Sequence, residues 1–185
     1  MIGKLVQATL LVTAGLAISG FSGCTPQTAT PAKRPAAPDY MAPSPATPPS
    51  AATRATCYSD ADLTILRVRM MQQEASVATL QCQTPSGGRA FDSQYTSFLQ
   101  KYGADLSANA RALNDLSRRR RFNVDVVVTE FANRTAQKAP VDPQFCSRAL
   151  RALEWALDPK ATSLAMVPPP YDIGPDMSFY ACAAK

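Results

Sequence analysis

The four cysteines Cys57, Cys82, Cys146 and Cys182 constrain the fold of this 185-residue chain more than any other feature. Four cysteines can form two disulfides in three different ways, and each way brings different parts of the chain together. A disulfide also requires the two Cα atoms to lie within about 7 Å of each other. The secondary structure between the cysteines therefore decides which pairing is possible.

The chain from residue 56 onward has the apolar periodicity of a helical domain. The first predicted helix begins after Ser59, with Asp62 three residues later as in a capping box. It ends near Cys82, before the turn residues 85–88. Its apolar face is predicted to consist of Leu63, Leu66, Met70, Val77 and Leu80. The second predicted helix runs from about Phe91 to Arg118, with an apolar stripe of Phe91, Tyr95, Phe98, Tyr102, Leu106, Leu113 and Leu116.

The segment 122–137 fits two kinds of secondary structure. Its valines alternate as in a strand, yet Val124, Val127, Val128 and Phe131 also share a helical face, and the polar residues 132–134 favour the helix. A fourth helix is predicted with Asp142 as its cap and Pro143 in its first turn, ending before Pro159. The proline-containing segment 159–185 is predicted to be an extended tail.

The first 23 residues have the organisation of a signal peptide. The apolar segment 5–18 has the length of a secretory hydrophobic region and is too short for a transmembrane helix. Phe21-Ser22-Gly23-Cys24 then resembles the lipobox of bacterial lipoproteins, in which small residues precede a cysteine. The resemblance implies cleavage after Gly23 and acylation of Cys24, palmitate included, which would attach the protein to a lipid bilayer. Because Thr25 replaces the Asp of inner-membrane lipoproteins, it also implies the outer membrane, facing the periplasm.

An ordinary secreted protein with a chance cysteine at position 24 is the alternative. In either case, residues 25–55 hold eight of the 16 prolines and a single aromatic residue, Tyr40. Such a composition cannot bury enough apolar surface to offset the entropy of ordering, so it predicts a disordered linker. The predicted organisation is thus a signal peptide at 1–23, a lipidated linker at 24–55 and a folded domain at 56–185.

Export to an oxidising compartment makes disulfides the expected state of the remaining four cysteines. Cys57 and Cys82 bracket a helix roughly 30 Å long, so they cannot pair with each other. Helices that alternate in direction place Cys82 beside Cys146 and return Cys182 to Cys57. The sequence therefore predicts an all-α, up-and-down bundle of about four helices with disulfides Cys57–Cys182 and Cys82–Cys146 and an extended C-terminal tail.

Composition excludes much of enzyme chemistry. The chain contains no histidine, which removes histidine-based acid–base catalysis, histidine metal ligands and Ser-His or Cys-His nucleophiles. It also has no CxxC and no S-x-x-K element. The 15 basic and 13 acidic side chains of residues 56–185 do not give the charge of a nucleic-acid-binding domain. We therefore expect no enzyme activity, no cofactor, no metal site and no nucleic-acid partner. The alternative that the composition leaves open is an enzyme that works through Asp and Glu side chains alone.

Two features remain as candidate contact sites. The run Arg118, Arg119, Arg120 and Arg121 either ends the second helix as a solvated group that suits the helix dipole, or contacts an anionic surface such as lipid headgroups. The predicted topology places this run at the Cys57 end of the bundle. Trp155 and the aromatic stripe of the second helix either pack in the core or line a ligand groove.

The segment Leu66–Glu74, Cys82 and Phe145-Cys146 also resemble small exported helical proteins of alphaproteobacteria, a resemblance that implies no activity. The expected function is a membrane-anchored lipoprotein that acts as a protein-interaction or accessory structural module of the cell envelope, with an envelope protein as partner. The alternative is a lipoprotein that binds a small molecule or glycan in an aromatic groove between helices.

Overall fold

The computed structural model describes residues 38–43, 57–174 and 177–182. Within these ranges the chain forms four α-helices and one 3-10 turn, Leu164–Met166, and its only extended pairings are two isolated bridges. The helices are α1 (Asp60–Gln81), α2 (Asp92–Arg120), α3 (Val124–Lys138) and α4 (Phe145–Leu157). The predicted all-α class with about four helices is confirmed. The predicted signal peptide and Cys24 lie outside the described residues.

Helix α1 lies at the centre of the bundle and contacts the other three helices and the 3-10 turn. Ser59 caps it as predicted by accepting a hydrogen bond from the backbone N–H of Asp62 at 3.2 Å. Two different faces of α1 are buried. Leu63, Leu66 and Met70 pack against α2 and α3 in one apolar cluster, and a second cluster contains Val68, Met71, Ala75 and Ala78. The predicted single apolar face is therefore wrong. Leu80, assigned to that face, is 53% exposed, because the buried line continues through Ala78 to Cys82.

The apolar stripe predicted for the second helix is confirmed. Phe98, Tyr102, Leu113 and Leu116 are buried, and Tyr95 and Leu106 pack against the same core from partly exposed positions. The Tyr102 hydroxyl lies 2.6 Å from the carbonyl oxygen of Ala156 and 2.9 Å from that of Ala161, so it fastens α2 to the end of α4.

The ambiguous segment after α2 is a helix, as the polar continuation favoured. Asn123 caps α3 by accepting hydrogen bonds from the backbone N–H groups of Asp125 and Val126. Val126, which would share a strand face with Val124 and Val128, is 65% exposed. The other two valines pack against the cluster of Leu63, Leu66 and Met70, as the helical spacing requires.

Helix α4 begins at Phe145, two residues later than a cap at Asp142 would give. The Asp142 carboxylate instead caps a preceding turn, accepting a hydrogen bond from the backbone N–H of Gln144 at 2.8 Å. Its other oxygen accepts from the Tyr171 hydroxyl at 2.6 Å and from Arg148 at 3.1 Å. The predicted start is wrong because these tertiary partners hold Asp142 in a turn.

Both predicted disulfides are confirmed. The Cα atoms are 4.8 Å apart in Cys57–Cys182 and 5.7 Å apart in Cys82–Cys146. The first joins the start of α1 to the C-terminal segment, and the second joins the end of α1 to the start of α4. The two ends of the central helix are thus each fixed by one covalent bond.

The C-terminal segment is largely extended, as predicted, but it is packed against the helices along most of its length. Ala161, Leu164, Val167 and Ile173 are buried. Near its end, Tyr58 donates its backbone N–H to the carbonyl of Tyr180 at 2.8 Å and accepts from the N–H of Cys182 at 3.0 Å. The segment therefore forms part of the core around α1.

Residues 38–43 fall inside the predicted linker but belong to the folded domain. Tyr40 is 1% exposed, and its hydroxyl donates to the carbonyl of Pro168 at 3.0 Å. Ala42 donates its N–H to the carbonyl of Pro170 at 2.8 Å, and Arg148 donates to the carbonyls of Tyr40 and Met41 at 3.1 and 3.0 Å. The predicted domain start at residue 56 is therefore wrong for this segment, because one buried aromatic side chain anchors it. The rest of the predicted linker, residues 25–37 and 44–55, lies outside the described residues.

Candidate functional site

The arginine run lies at the Cys57 end of the bundle, as its predicted topology required. In the last turn of α2, Arg119 and Arg120 contact the two carboxylate oxygens of Asp62 at 3.1 and 2.9 Å. The Arg120 guanidinium also lies 5.1 Å from the ring centre of Tyr58. Because Asp62 is in the first turn of α1, these contacts fix α1 and α2 in antiparallel orientation.

Two of the four arginines therefore have a structural role. Burial alone would raise the pKa of Asp62, but hydrogen bonds from Arg120, Ser59 and Arg119 hold that pKa below its usual value. Arg118 pairs with Asp115 on the exposed surface of α2, and Arg121 ends the helix in the left-handed conformation with its side chain exposed. Contact of the run with an anionic surface stays a prediction, and Arg118 and Arg121 are the side chains most available for it.

Of the two alternatives for the aromatic stripe of the second helix, core packing is confirmed and a ligand groove lined by its rings is not found among the described residues. Phe91, Phe98 and Tyr102 are all buried. Trp155 on α4 behaves differently: it is 50% exposed and makes an edge contact with Tyr40, with ring centres 6.4 Å apart. Trp155 therefore lies beside residues 38–43, the segment that was predicted to belong to the linker rather than to the domain.

Trp155 forms part of a small exposed surface, the Trp155 surface, made of Trp155, Lys160 and Met166. The three side chains border a shallow cleft of about 230 Å³ together with Asp158 and the buried Ala161. Met166 is 55% exposed, so this surface presents two large apolar side chains to solvent. A mixed surface of this kind can contact a partner or a lipid interface.

A larger cleft, the α3 cleft, lies between α3, residues 42–43 and the C-terminal segment. Its volume is about 320 Å³, and its polar lining includes Arg134, Lys138 and Tyr171. The Lys138 ammonium lies 5.9 Å from the ring centre of Tyr171. The same wall contains Asp172, which accepts two hydrogen bonds from Arg67 at 2.7 and 2.9 Å. This cleft has the size and the mixed lining of a small-ligand site.

Glu74 is a buried acid that the sequence did not reveal. It is 2% exposed, one carboxylate oxygen accepts the backbone N–H of Tyr171 at 3.0 Å, and the other has no hydrogen-bond partner among the described residues. Burial, opposed by that hydrogen bond and assisted by the charge of Asp172, raises the pKa of Glu74 well above its usual value. The buried site therefore favours the neutral, protonated form of this side chain over the charged form.

Replacing Glu74 with glutamine is expected to flatten the pH dependence of stability. In the unfolded chain the carboxyl ionises near pH 4.3, whereas burial raises its pKa in the folded protein. The wild-type free energy of unfolding therefore falls as pH rises from the unfolded pKa towards the folded one, by up to about 1.4 kcal/mol per pH unit. Glutamine keeps the acceptor for Tyr171 and removes the titration. Urea unfolding between about pH 4 and pH 8 measures this, with the exposed Glu154→Gln as the matched control. Parallel wild-type and Glu74→Gln curves would show that Glu74 is not a buried acid.

The described residues contain no group of three or more Cys, Asp or Glu side chains placed to hold a metal ion. Among the helices of that same part of the chain, none combines the length and the hydropathy that crossing a membrane requires. No protein-family model, no curated protein and no solved structure matches this chain.

Proposed function

We propose that this protein is a membrane-anchored lipoprotein of the cell envelope whose helical domain acts as a protein-interaction or accessory structural module. The observation that carries the proposal is the pair of disulfides, Cys57–Cys182 and Cys82–Cys146, in a chain that has a lipobox-like segment at residues 21–24. Structural disulfides persist in oxidising compartments, of which the periplasm is one. The proposed location is the outer membrane, with the domain in the periplasm and acyl chains on Cys24.

The use of the charged side chains supports a module rather than a catalyst. Arg67 joins α1 to Asp172 of the C-terminal segment, and Arg148 joins α4 to residues 40–41. Asp62 joins α1 to α2. Each of these groups connects two elements and is occupied in doing so. A domain braced in this way presents a preorganised surface, which lowers the entropic cost of binding a protein partner.

Replacing Cys24 with serine is expected to move the protein from the membrane to the soluble periplasmic fraction, because the acyl chains supply the stable attachment. Fractionation and labelling with radioactive palmitate measure this, and Thr25→Ser is the matched control that leaves the acylated residue in place. A Cys24→Ser protein that stays in the membrane pellet after a salt wash would contradict the anchor.

Affinity capture of the lipidated, tagged protein from cross-linked membranes tests the interaction role. We expect a stoichiometric envelope protein that is lost, or strongly reduced, in the Cys24→Ser variant, because anchoring concentrates the two proteins on one surface. Recovery of the lipoprotein alone from wild-type membranes would contradict an accessory role and favour the second candidate function.

The second candidate function is the binding of a small molecule or glycan, and the α3 cleft is the observation that favours it. Its volume of about 320 Å³ suits a small ligand, and Arg134, Lys138 and Tyr171 supply donors and an aromatic ring. A ligand that binds only the folded state raises the melting temperature. A thermal-shift screen of acidic and neutral sugars, repeated with Lys138→Gln, distinguishes binding in this cleft from binding elsewhere.

A further inference from the structure

The folded domain begins much closer to Cys24 than the start of α1 suggests. Asp39 lies 3.5 Å from Arg151 on α4, and the ring of Tyr40 contacts Trp155. The chain therefore enters the domain beside the Trp155 surface. Any role of this surface toward a membrane rests on the proposed lipid anchor at Cys24.

The number of residues between the anchor and the domain limits how far the two can separate. A fully extended chain spans at most about 3.6 Å per residue, so Cys24 and Pro38 can be no more than about 50 Å apart. If the domain began at Cys57, the same limit would be about 120 Å. The packing of residues 38–43 thus reduces the maximum length of the connection between Cys24 and the domain to less than half. It also places the point where this connection joins the domain next to α4.

The side chains at this point of attachment have the chemistry of a membrane-interface contact. Trp155 and Met166 are each about half exposed, and Lys160 lies beside them in the same cleft. Tryptophan is the residue type most typical of the interface between lipid and water, and lysine beside it can keep its charge in the headgroup region. The neighbouring charges give no positive patch, since the two basic side chains Arg151 and Lys160 are outnumbered by the three acidic ones Asp39, Glu154 and Asp158. Apolar insertion, rather than attraction to anionic lipid, would dominate such a contact.

We propose that the Trp155 surface is the face with which the anchored domain rests on the bilayer that holds Cys24. Two half-exposed side chains offer far less than the roughly 800 Å² per partner that a stable dimer buries. Because the lipid anchor already holds the domain at the membrane, the effective concentration of lipid near the domain is high. A small contact surface is therefore sufficient there. The lipid interface is therefore the occupant that fits both the size of the surface and its position.

Trp155 is the only tryptophan in the chain, so its fluorescence reports directly on this surface. The lipidated protein is reconstituted into phosphatidylethanolamine–phosphatidylglycerol vesicles, with and without lipids brominated on their acyl chains. Relative to the soluble Cys24→Ser protein, we expect blue-shifted emission, at least about twofold quenching by brominated lipid, and little change in 0.5 M salt. Unshifted emission with no quenching would overturn the proposal.

Three variants identify the contacting face. Met166→Ser is expected to reduce the quenching of Trp155 by about half, whereas Val126→Ser, which removes an exposed apolar side chain on α3, leaves it unchanged. Loss of quenching in an Arg118→Gln/Arg121→Gln variant and in high salt would assign the contact to the arginine run and overturn the proposal. A blue shift in Cys24→Ser protein that grows with protein concentration and without vesicles would show a dimer interface and overturn it as well. Melting curves of the variants confirm that each is folded.

Failure of the anchor and failure of the surface are separated by a second preparation. The mature chain from Cys24 contains every described residue, and Cys24 is its one cysteine outside the two disulfides. Coupling that thiol to a maleimide lipid anchors the domain whether or not the cell acylates it. Quenching in the coupled protein supports the proposed surface even if mass spectrometry finds no native acylation, whereas no quenching in the coupled protein overturns it.

Discussion

Replacing Tyr40 with alanine will lower the free energy of unfolding by about 3–5 kcal/mol, the range found when a large buried aromatic side chain is truncated. The ring is 1% exposed and packs in the cluster with Phe145, Ala149 and Leu153. Its hydroxyl also bonds the carbonyl of Pro168, so truncation leaves that acceptor without its partner as well. Urea unfolding of the full chain, followed by circular dichroism, measures the change.

Two companion variants separate the ring from its hydroxyl and from the rest of the segment. Tyr40→Phe removes the hydrogen bond but keeps the ring, and it is expected to cost about 1 kcal/mol. Pro43→Ala changes an exposed residue three positions further along, and is expected to have an effect within about 0.5 kcal/mol. A Tyr40→Ala protein as stable as wild type would contradict the placement of residues 38–43 in the core.

Tyr40 shows where sequence reasoning stops. The linker prediction averaged composition over residues 25–55, and on average that segment cannot form a core. One aromatic side chain nevertheless finds a site because a second proline segment, Pro168–Pro170, passes beside it and accepts hydrogen bonds from Tyr40 and Ala42. These bonds join residues more than a hundred positions apart. Neither local periodicity nor composition carries such information.

The helices and disulfides were predictable for the opposite reason, since they depend on local spacing and on a simple alternation of direction. The helical periodicity sets how far Cys57 lies from Cys82, and that distance alone excludes one of the three pairings. The burial of Glu74 and the exposure of Leu80 were not predictable in this way. Both depend on how many neighbours surround α1, and periodicity cannot distinguish a helix covered on one side from one covered on several.

The candidate sites also differ in whether they depend on helix topology, which was predictable, or on tertiary contacts, which were not. The position of the arginine run at the Cys57 end followed from topology and is confirmed by its contacts with Asp62 and Tyr58. The ion pairs of Arg119 and Arg120 with Asp62 could not be predicted from the topology, because the sequence does not show which carboxylate faces the end of α2. The Trp155 surface could not be recognised either, since its place beside the chain entry depends on Tyr40.

Replacing both cysteines of either disulfide with alanine will lower the free energy of unfolding by about 4–5 kcal/mol in the chain-entropy model, because each bond restricts a long loop of the unfolded chain. The loops are similar in effect, with sequence separations of 125 for Cys57–Cys182 and 64 for Cys82–Cys146. The two double variants should therefore lose comparable global stability. Chemical unfolding at equal protein concentration, without reductant, measures the loss.

The two bonds are expected to differ in local stability even where the global loss is alike. Cys82–Cys146 joins two helices that already share a buried core, so its removal should lower the stability of the domain as a whole. Cys57–Cys182 holds the C-terminal segment, whose remaining backbone contacts near Tyr58 are few. Limited proteolysis should therefore cut the Cys57→Ala/Cys182→Ala variant near its C-terminus well before global unfolding, and should leave the Cys82→Ala/Cys146→Ala variant intact there. Equal cleavage of both variants would contradict this assignment, and peptide mapping that links Cys57 to Cys146 in the wild type would contradict the topology itself.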